Sequence, residues 1–126
     1  MIRTLSLTAA AIGTLALLAT PASAAGNAAN GKTAFAICGT CHSAAAGAPN
    51  KIGPNLFGVV GRKAGTYAGF NYSAAMKNSG ITWTEDKLAA YIDAPQKVVP
   101  GNKMPYGGTG NPAKAADIAA YLATLK

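Results

Sequence analysis

The chain of 126 residues is short of acids, aromatics and metal-ligating side chains. Asp and Glu number 4, aromatic residues make up 7%, and there are one histidine and two cysteines. With so few ligands a zinc site cannot be completed. The sequence carries no strong strand signal, so the βαβ setting of a thioredoxin-like Cys-x-x-Cys pair is missing as well. There is no internal repeat and no RNA- or DNA-binding motif. Lys and Arg total 11, yet the lysines never form a run, which weighs against nucleic acid as the partner of the positive charge. Few aromatics and 15 glycines leave little material for a core built from side chains alone. A large buried cofactor would fill that gap.

What is present begins with an export signal. Arg3 supplies a positive start, Leu5 to Ala19 is an almost unbroken apolar run, and Pro21-Ala22-Ser23-Ala24 ends it with small residues in an Ala-x-Ala pattern. The run is shorter than the roughly 20 apolar residues that a spanning helix needs, and no cysteine lies near the cut to carry a lipid. Residues 1–24 therefore read as a secretory signal peptide that is removed, leaving no membrane anchor. Residues 25–126 read as one domain of 102 residues in a periplasmic protein. A domain of that size buries about two thirds of the surface its unfolded chain exposes. Its charge is +6, ten bases against four acids once Arg3 is gone, which suits an acidic partner surface.

The expected elements are helices joined by long loops. Asn27 offers a cap to a first helix that runs through Phe35 and Ile37 into the cysteines. From Ser43 to Asn71 the chain is rich in Gly, Pro, Ala and Asn and has no sustained periodicity. A structureless stretch of that length suits a small domain only if it wraps something functional. Ser73 to Asn78 predicts a short helix stopped by Gly80. Thr84 caps a helix through Ile92 with Glu85 and Asp86 in its first turn, where the helix dipole favours acids. Pro95 ends it, and Gln96 to Val99 allows one more turn. Asn111 and Pro112 open a last helix that sets Ile118, Tyr121, Leu122 and Leu125 on one face.

Cys38-Gly39-Thr40-Cys41-His42 is the strongest feature, because Cys-x-x-Cys-His is the attachment signature of c-type haem. Two thiols three residues apart can each add to one vinyl group of the porphyrin. The next residue then lies under the iron, where imidazole is a suitable ligand. A plain disulfide would leave the adjacent histidine, the chain's only one, without a reason. The second axial ligand decides the function, since an open iron invites gas or peroxide chemistry and a closed one favours electron transfer. Met76 sits in the short predicted helix, where it reads as an adaptable core filler. Met104 sits in the proline-bounded loop Pro100-Gly101-Asn102-Lys103-Met104-Pro105 and is the expected ligand.

In order, the motifs Gly31 with Phe35, Cys38-x-x-Cys41-His42, Gly53-Pro54-Asn55-Leu56, Gly61-Arg62-Lys63, Gly69-Phe70-x-Tyr72, Gly80-Ile81-Thr82-Trp83, Tyr91, Pro100-Gly101-x-Lys103-Met104 and Ile118 to Tyr121 resemble the class I cytochromes c. The resemblance is closest to the mitochondrial cytochrome c and bacterial cytochrome c2 group. It implies an all-α fold of short helices and long loops round one covalent haem c, with His42 and Met104 as axial ligands on opposite faces. It also implies that the first and last helices cross at Gly31 and Phe35, and that the Pro54 carbonyl orients His42. Tyr72 and Trp83 would donate to a haem propionate, Arg62 would offset its charge, Asn102 would approach it, and Tyr91 would lie near the Met104 sulfur. Phe35 stands one residue nearer Cys38 than in the mitochondrial proteins, as in cytochrome c2. Met76 replaces a common asparagine of a buried polar network, and Asn102 a common threonine.

The function so implied is an electron carrier, not an enzyme: a monomer shuttling single electrons between membrane-bound or periplasmic redox complexes. Its partners would be redox proteins with acidic docking surfaces, such as a cytochrome bc1-type donor and a terminal oxidase, reaction centre or dehydrogenase. Lys51, Lys97 and Lys103 keep docking positions of the mitochondrial proteins, while Ile37 and Gln96 stand where two further lysines are common. A haem peroxidase or ligand sensor is the rival. It is the weaker one, because the sequence supplies neither a second histidine nor an obvious distal acid/base pair.

Overall fold

A computed structural model describes residues 26–126 together with Gly13, so the expected signal peptide, residues 1–24, lies outside the described residues apart from Gly13. Among the described residues five α-helices follow one another: α1 (Ala28–Ala34), α2 (Ala74–Lys77), α3 (Glu85–Asp93), α4 (Pro95–Val98) and α5 (Pro112–Ala123). Between α1 and the long loop a 3₁₀ helix, Phe35–Thr40, carries the first cysteine. Among the described residues the sole β pairing is an isolated antiparallel bridge between Lys63 and Thr82. No described helix is long and apolar enough to cross a membrane.

The helix boundaries follow local chemistry. Asn27, Ser73, Thr84 and Asn111 each cap a helix by accepting from the backbone N–H three residues on, which satisfies a donor that the first turn leaves unpaired. Pro95 and Pro112 occupy the first helical positions of α4 and α5, where the missing N–H costs nothing. The first helix differs from expectation. It tightens to 3₁₀ geometry at Phe35 and does not run as α-helix into the cysteines.

The frame is the crossing of α1 with α5. A Cβ on Gly31 would drive into the Asp117 carbonyl and the Tyr121 side chain, so glycine is what lets the two backbones approach. Two contacts build on that approach: Phe35 lies against Tyr121 with ring centroids 5.4 Å apart, and Asp117 accepts from the Asn27 N–H at 2.7 Å. On the other side α5 packs against α3, burying Ile118 and Leu122 with Leu88, Tyr91 and Ile92. Each fully buried aliphatic side chain contributes about 1.5–3 kcal/mol.

The loop of residues 43–72 is irregular but not unpaired. Asn55 has no exposed surface. Its amide donates to the Ala45 and Ala48 carbonyls at 2.8 and 2.9 Å, and its oxygen accepts from Phe57 N–H at 2.8 Å. Asn50 in turn accepts from Asn55 N–H at 2.8 Å. A short ladder, Trp83 N–H to Arg62 O at 2.9 Å and Ala64 N–H to Ile81 O at 2.7 Å, ties the end of the loop to the segment before α3. Replacing Asn55 by Ala strips partners from three backbone groups at once, the Ala45 and Ala48 carbonyls and the Phe57 N–H. It is expected to cost about 3 kcal/mol in denaturant unfolding, whereas an exposed control such as Lys126→Ala should stay near zero.

Candidate functional site

The 3₁₀ helix, the loop, α3 and the chain before α5 surround one cavity of about 520 Å³, within the range of sites that hold a cofactor. Cys38, Cys41, His42 and Met104 all line it. So do Pro54, Arg62, Tyr72, Trp83, Tyr91, Asn102 and Lys103, whereas Lys51 and Lys97 do not. Every expected cofactor-binding and ligand residue thus meets in one place. The two thiols are free and half-buried, and burial pushes Cys38 above its ordinary range against a backbone hydrogen bond and the nearby Lys114.

His42 is oriented by the strand of loop laid beside it. Gly53 N–H donates to Cys41 O at 2.8 Å and Leu56 N–H to Ser43 O at 2.9 Å. Those bonds bring the Pro54 carbonyl to 2.7 Å from His42 Nδ1. The carbonyl can only accept, so Nδ1 carries the proton and Nε2 keeps a free lone pair. Burial holds His42 below the usual imidazole range despite that hydrogen bond, and Lys51 acts in the same direction as burial. A neutral ring with an available Nε2 is the form that binds a metal. Gly53 makes the arrangement fit, because a Cβ there would enter the imidazole ring.

Met104 follows a turn that its own residues dictate. Pro100 and Gly101 stand at the centre, Gly101 has φ +85°, and Asn102 N–H closes on Val99 O at 3.1 Å, which are the marks of a type II turn. Asn102 is buried, with 8% of its surface exposed. Its amide donates to Val99 O, and its oxygen accepts from Met104 N–H, both at 2.9 Å. Beyond Met104 the chain is fastened to the end of α3 by Thr109 N–H to Ile92 O at 3.0 Å and Thr109 Oγ1 to Asp93 Oδ1 at 2.9 Å.

Arg62 donates to the Asn55 and Phe57 carbonyls at 2.8 and 2.7 Å and lies 4.3 Å above the Tyr67 ring. No carboxylate among the described residues pairs with it, and burial lowers its pKa, partly offset by Tyr72 and Tyr67. A half-buried cation lacking a counter-anion suits a ligand that brings its own negative charge. Tyr72 stands beside it and accepts from Tyr67 N–H at 3.3 Å. Trp83 and Tyr91 pack at 5.1 Å, and burial pushes the Tyr91 hydroxyl up to about 12, so it stays protonated. Met76 is buried in the core and borders the same cavity.

Of the three lysines expected to dock, Lys51 donates to Gly39 O at 3.0 Å and Lys103 donates to Asn71 O. Lys97 stands exposed in the last turn of α4. Sequence reasoning missed the braces Asn50 and Asn55, the cradle at Gly53, and Tyr106, which lines the cavity and whose hydroxyl is raised by burial and by Cys38. Asparagine inside a Gly- and Pro-rich loop was the available signal for the first two, since irregular backbone needs side-chain partners.

A covalent donor pair, an imidazole with a free Nε2, a thioether and an uncompensated cation round a largely apolar cavity define a helical domain built to hold a haem. The comparisons narrow the class. Residues 28–126 match the family model described as Cytochrome c, and the chain belongs to that family. It is 54% identical over 102 residues to a cytochrome c2 of Rhodopila globiformis, covering 80% of this chain and 95% of that one. It is 45% identical over 115 residues to a cytochrome c2 of Rhodomicrobium vannielii, covering 91% and 92%. Among solved structures, cytochrome cH from Methylobacterium extorquens superposes with a TM-score of 0.73 at 46% identity, covering 79% of this chain and 99% of that one. The cofactor is one covalent haem c, and the protein is an electron carrier and not an enzyme.

The residues fit that cofactor on the observations above. Gly53→Ala is expected to displace the His42 ring. Such a shift would lower the thermal midpoint, alter the visible spectrum of the oxidised protein, and cost about 1–3 kcal/mol as an overpacked site. A spectrum and midpoint equal to the parent's would mean the imidazole does not need that space.

Proposed function

We propose that this protein is a periplasmic carrier of single electrons whose haem is joined to Cys38 and Cys41 and ligated by His42 and Met104. One observation carries the reading. A single cavity holds both an imidazole whose Nδ1 is committed to Pro54 and a methionine at the end of a braced turn. When bound, the haem supplies a one-electron ferrous/ferric couple.

The chain's own residues tune and protect that couple. Nδ1 donation to Pro54 makes Nε2 a more basic ligand and holds the ring in place. The Met104 thioether as second ligand would raise the potential. Phe35, Leu88, Ile118 and Leu122 line the cavity with apolar surface, which excludes water and disfavours the extra charge of the oxidised state. Arg62 offsets a propionate, with Tyr72 and Trp83 as donors to it, and the second amide hydrogen of Asn102 is left for the same group. Tyr91, protonated, lines the same cavity as Met104 and would stand near its sulfur. Because both axial residues are held by fixed loops, little has to move on each transfer.

Export by cleavage of residues 1–24 places the 25–126 domain in the periplasm as a monomer. There it meets redox proteins with acidic docking surfaces, such as a cytochrome bc1-type donor and a terminal oxidase, reaction centre or dehydrogenase. Lys51, Lys97 and Lys103 contribute the positive side. The interface is small and polar, so steering gives fast arrival and contact is brief.

The oxidised protein is expected to show the weak far-red band that reports sulfur on ferric iron. Met104→Ala should abolish it and let the reduced form bind carbon monoxide. A parent protein that lacks the band and binds carbon monoxide readily would end the carrier reading. Electron-transfer rates with an acidic redox partner should fall several-fold as ionic strength rises. Lys97→Glu should slow them more than Lys51→Gln does, since Lys51 is tethered to backbone; a flat salt response would remove the lysines from docking.

A further inference from the structure

The turn that presents Met104 is held from outside by a residue that so far counted only as a missing lysine. Gln96 lies in α4 immediately after Pro95. Its side chain reaches five and six residues onward. The amide nitrogen donates to Asn102 O at 3.0 Å, and the amide oxygen accepts from Gly101 N–H at 3.1 Å. Together with the Asn102 bonds to Val99 O and from Met104 N–H, this forms a continuous chain of hydrogen bonds from α4 to the Met104 backbone.

We propose that Gln96 is a positioning residue, a clasp that keeps the 99–104 turn closed and so sets how often the Met104 thioether leaves the iron. This rests on the reading of Met104 as axial ligand. The chemistry selects glutamine. Gly101 offers a donor and Asn102 an acceptor, and a primary amide supplies the matching pair in one group. A lysine ammonium would serve the Asn102 carbonyl and leave the Gly101 N–H without a partner. A glutamate would accept from Gly101 but set its charge against the Asn102 carbonyl. Gly101, at φ +85°, has few steric restraints of its own on this turn, so the closed form depends on such bonds.

The consequence is a population effect. A foreign ligand can reach the iron only when Met104 has withdrawn, so its apparent affinity scales with the fraction of open turn. Removing the two Gln96 hydrogen bonds raises that fraction about tenfold. Because Gln96 is exposed, its replacement leaves the fold intact, and Gln96→Ala changes no charge.

The experiment titrates the oxidised haem-loaded protein with imidazole, follows the far-red band, and measures amide hydrogen exchange at Gly101. Gln96→Ala is expected to keep the band in the absence of imidazole, to bind imidazole about tenfold more tightly than the parent, and to exchange the Gly101 amide about tenfold faster. Gln96→Lys and Gln96→Glu, each able to make one of the two bonds, should fall between. If the parent shows the band but Gln96→Ala matches it in imidazole affinity and exchange, the clasp is wrong and the ligand assignment stands. A lower unfolding midpoint with unchanged imidazole affinity would likewise overturn it, leaving Gln96 a purely structural role. A parent without the band removes the ligand assignment and the clasp with it.

Discussion

Backbone that runs irregularly past a cofactor cavity cannot pair with itself as a helix or sheet does, so its polar groups must find partners among side chains. That requirement organises this protein. Asn50 and Asn55 serve the loop on one side of the cavity, Gln96 and Asn102 the turn on the other, and the Arg62 guanidinium two further carbonyls. Primary amides dominate because one group both donates and accepts. The long segment between the cysteine motif and α2 is therefore fastened as firmly as an element with regular structure, although it has almost no periodicity.

His42 and Met104 inherit their orientation from this fastening. His42 is one residue past the cysteine pair, but its tautomer depends on Pro54, twelve residues away, and on the absence of a side chain at Gly53. Met104 depends on a turn whose proline and glycine set the backbone and whose asparagine bonds the ligand's own N–H. In both cases a rigid carbonyl or amide, not the ligand itself, does the aiming. Fixed ligands on both sides suit a couple that must change charge without rearranging.

Charge follows the same logic of unequal freedom. Arg62 is half-buried with no carboxylate partner among the described residues, which readies the cavity for an anionic group. Lys51 and Lys103 are engaged with backbone carbonyls, the first of them on the cysteine segment. Of the two, Lys103 lines the cavity and Lys51 does not, while Ile37, which also lines it, stands exposed at 57%.

Helices α1, α3 and α5 and their caps were legible in the sequence, as was the set of cysteine, histidine and methionine side chains that the fold brings to one cavity, because capping, helical periodicity and motif spacing are local properties. Two cysteines three positions apart with a histidine directly after them already point to covalent attachment, and proline and glycine before Met104 already point to its turn. The 3₁₀ tightening at Phe35, the roles of Asn55, Gly53 and Gln96, and the tethering of Lys51 and Lys103 were not legible. Each is a relation between residues that only folding brings together: a backbone group left over by one segment and a side chain or empty space offered by another. Local chemistry determined which residues offer donors to a haem, and tertiary contact alone decided how firmly, and at what angle, they are held.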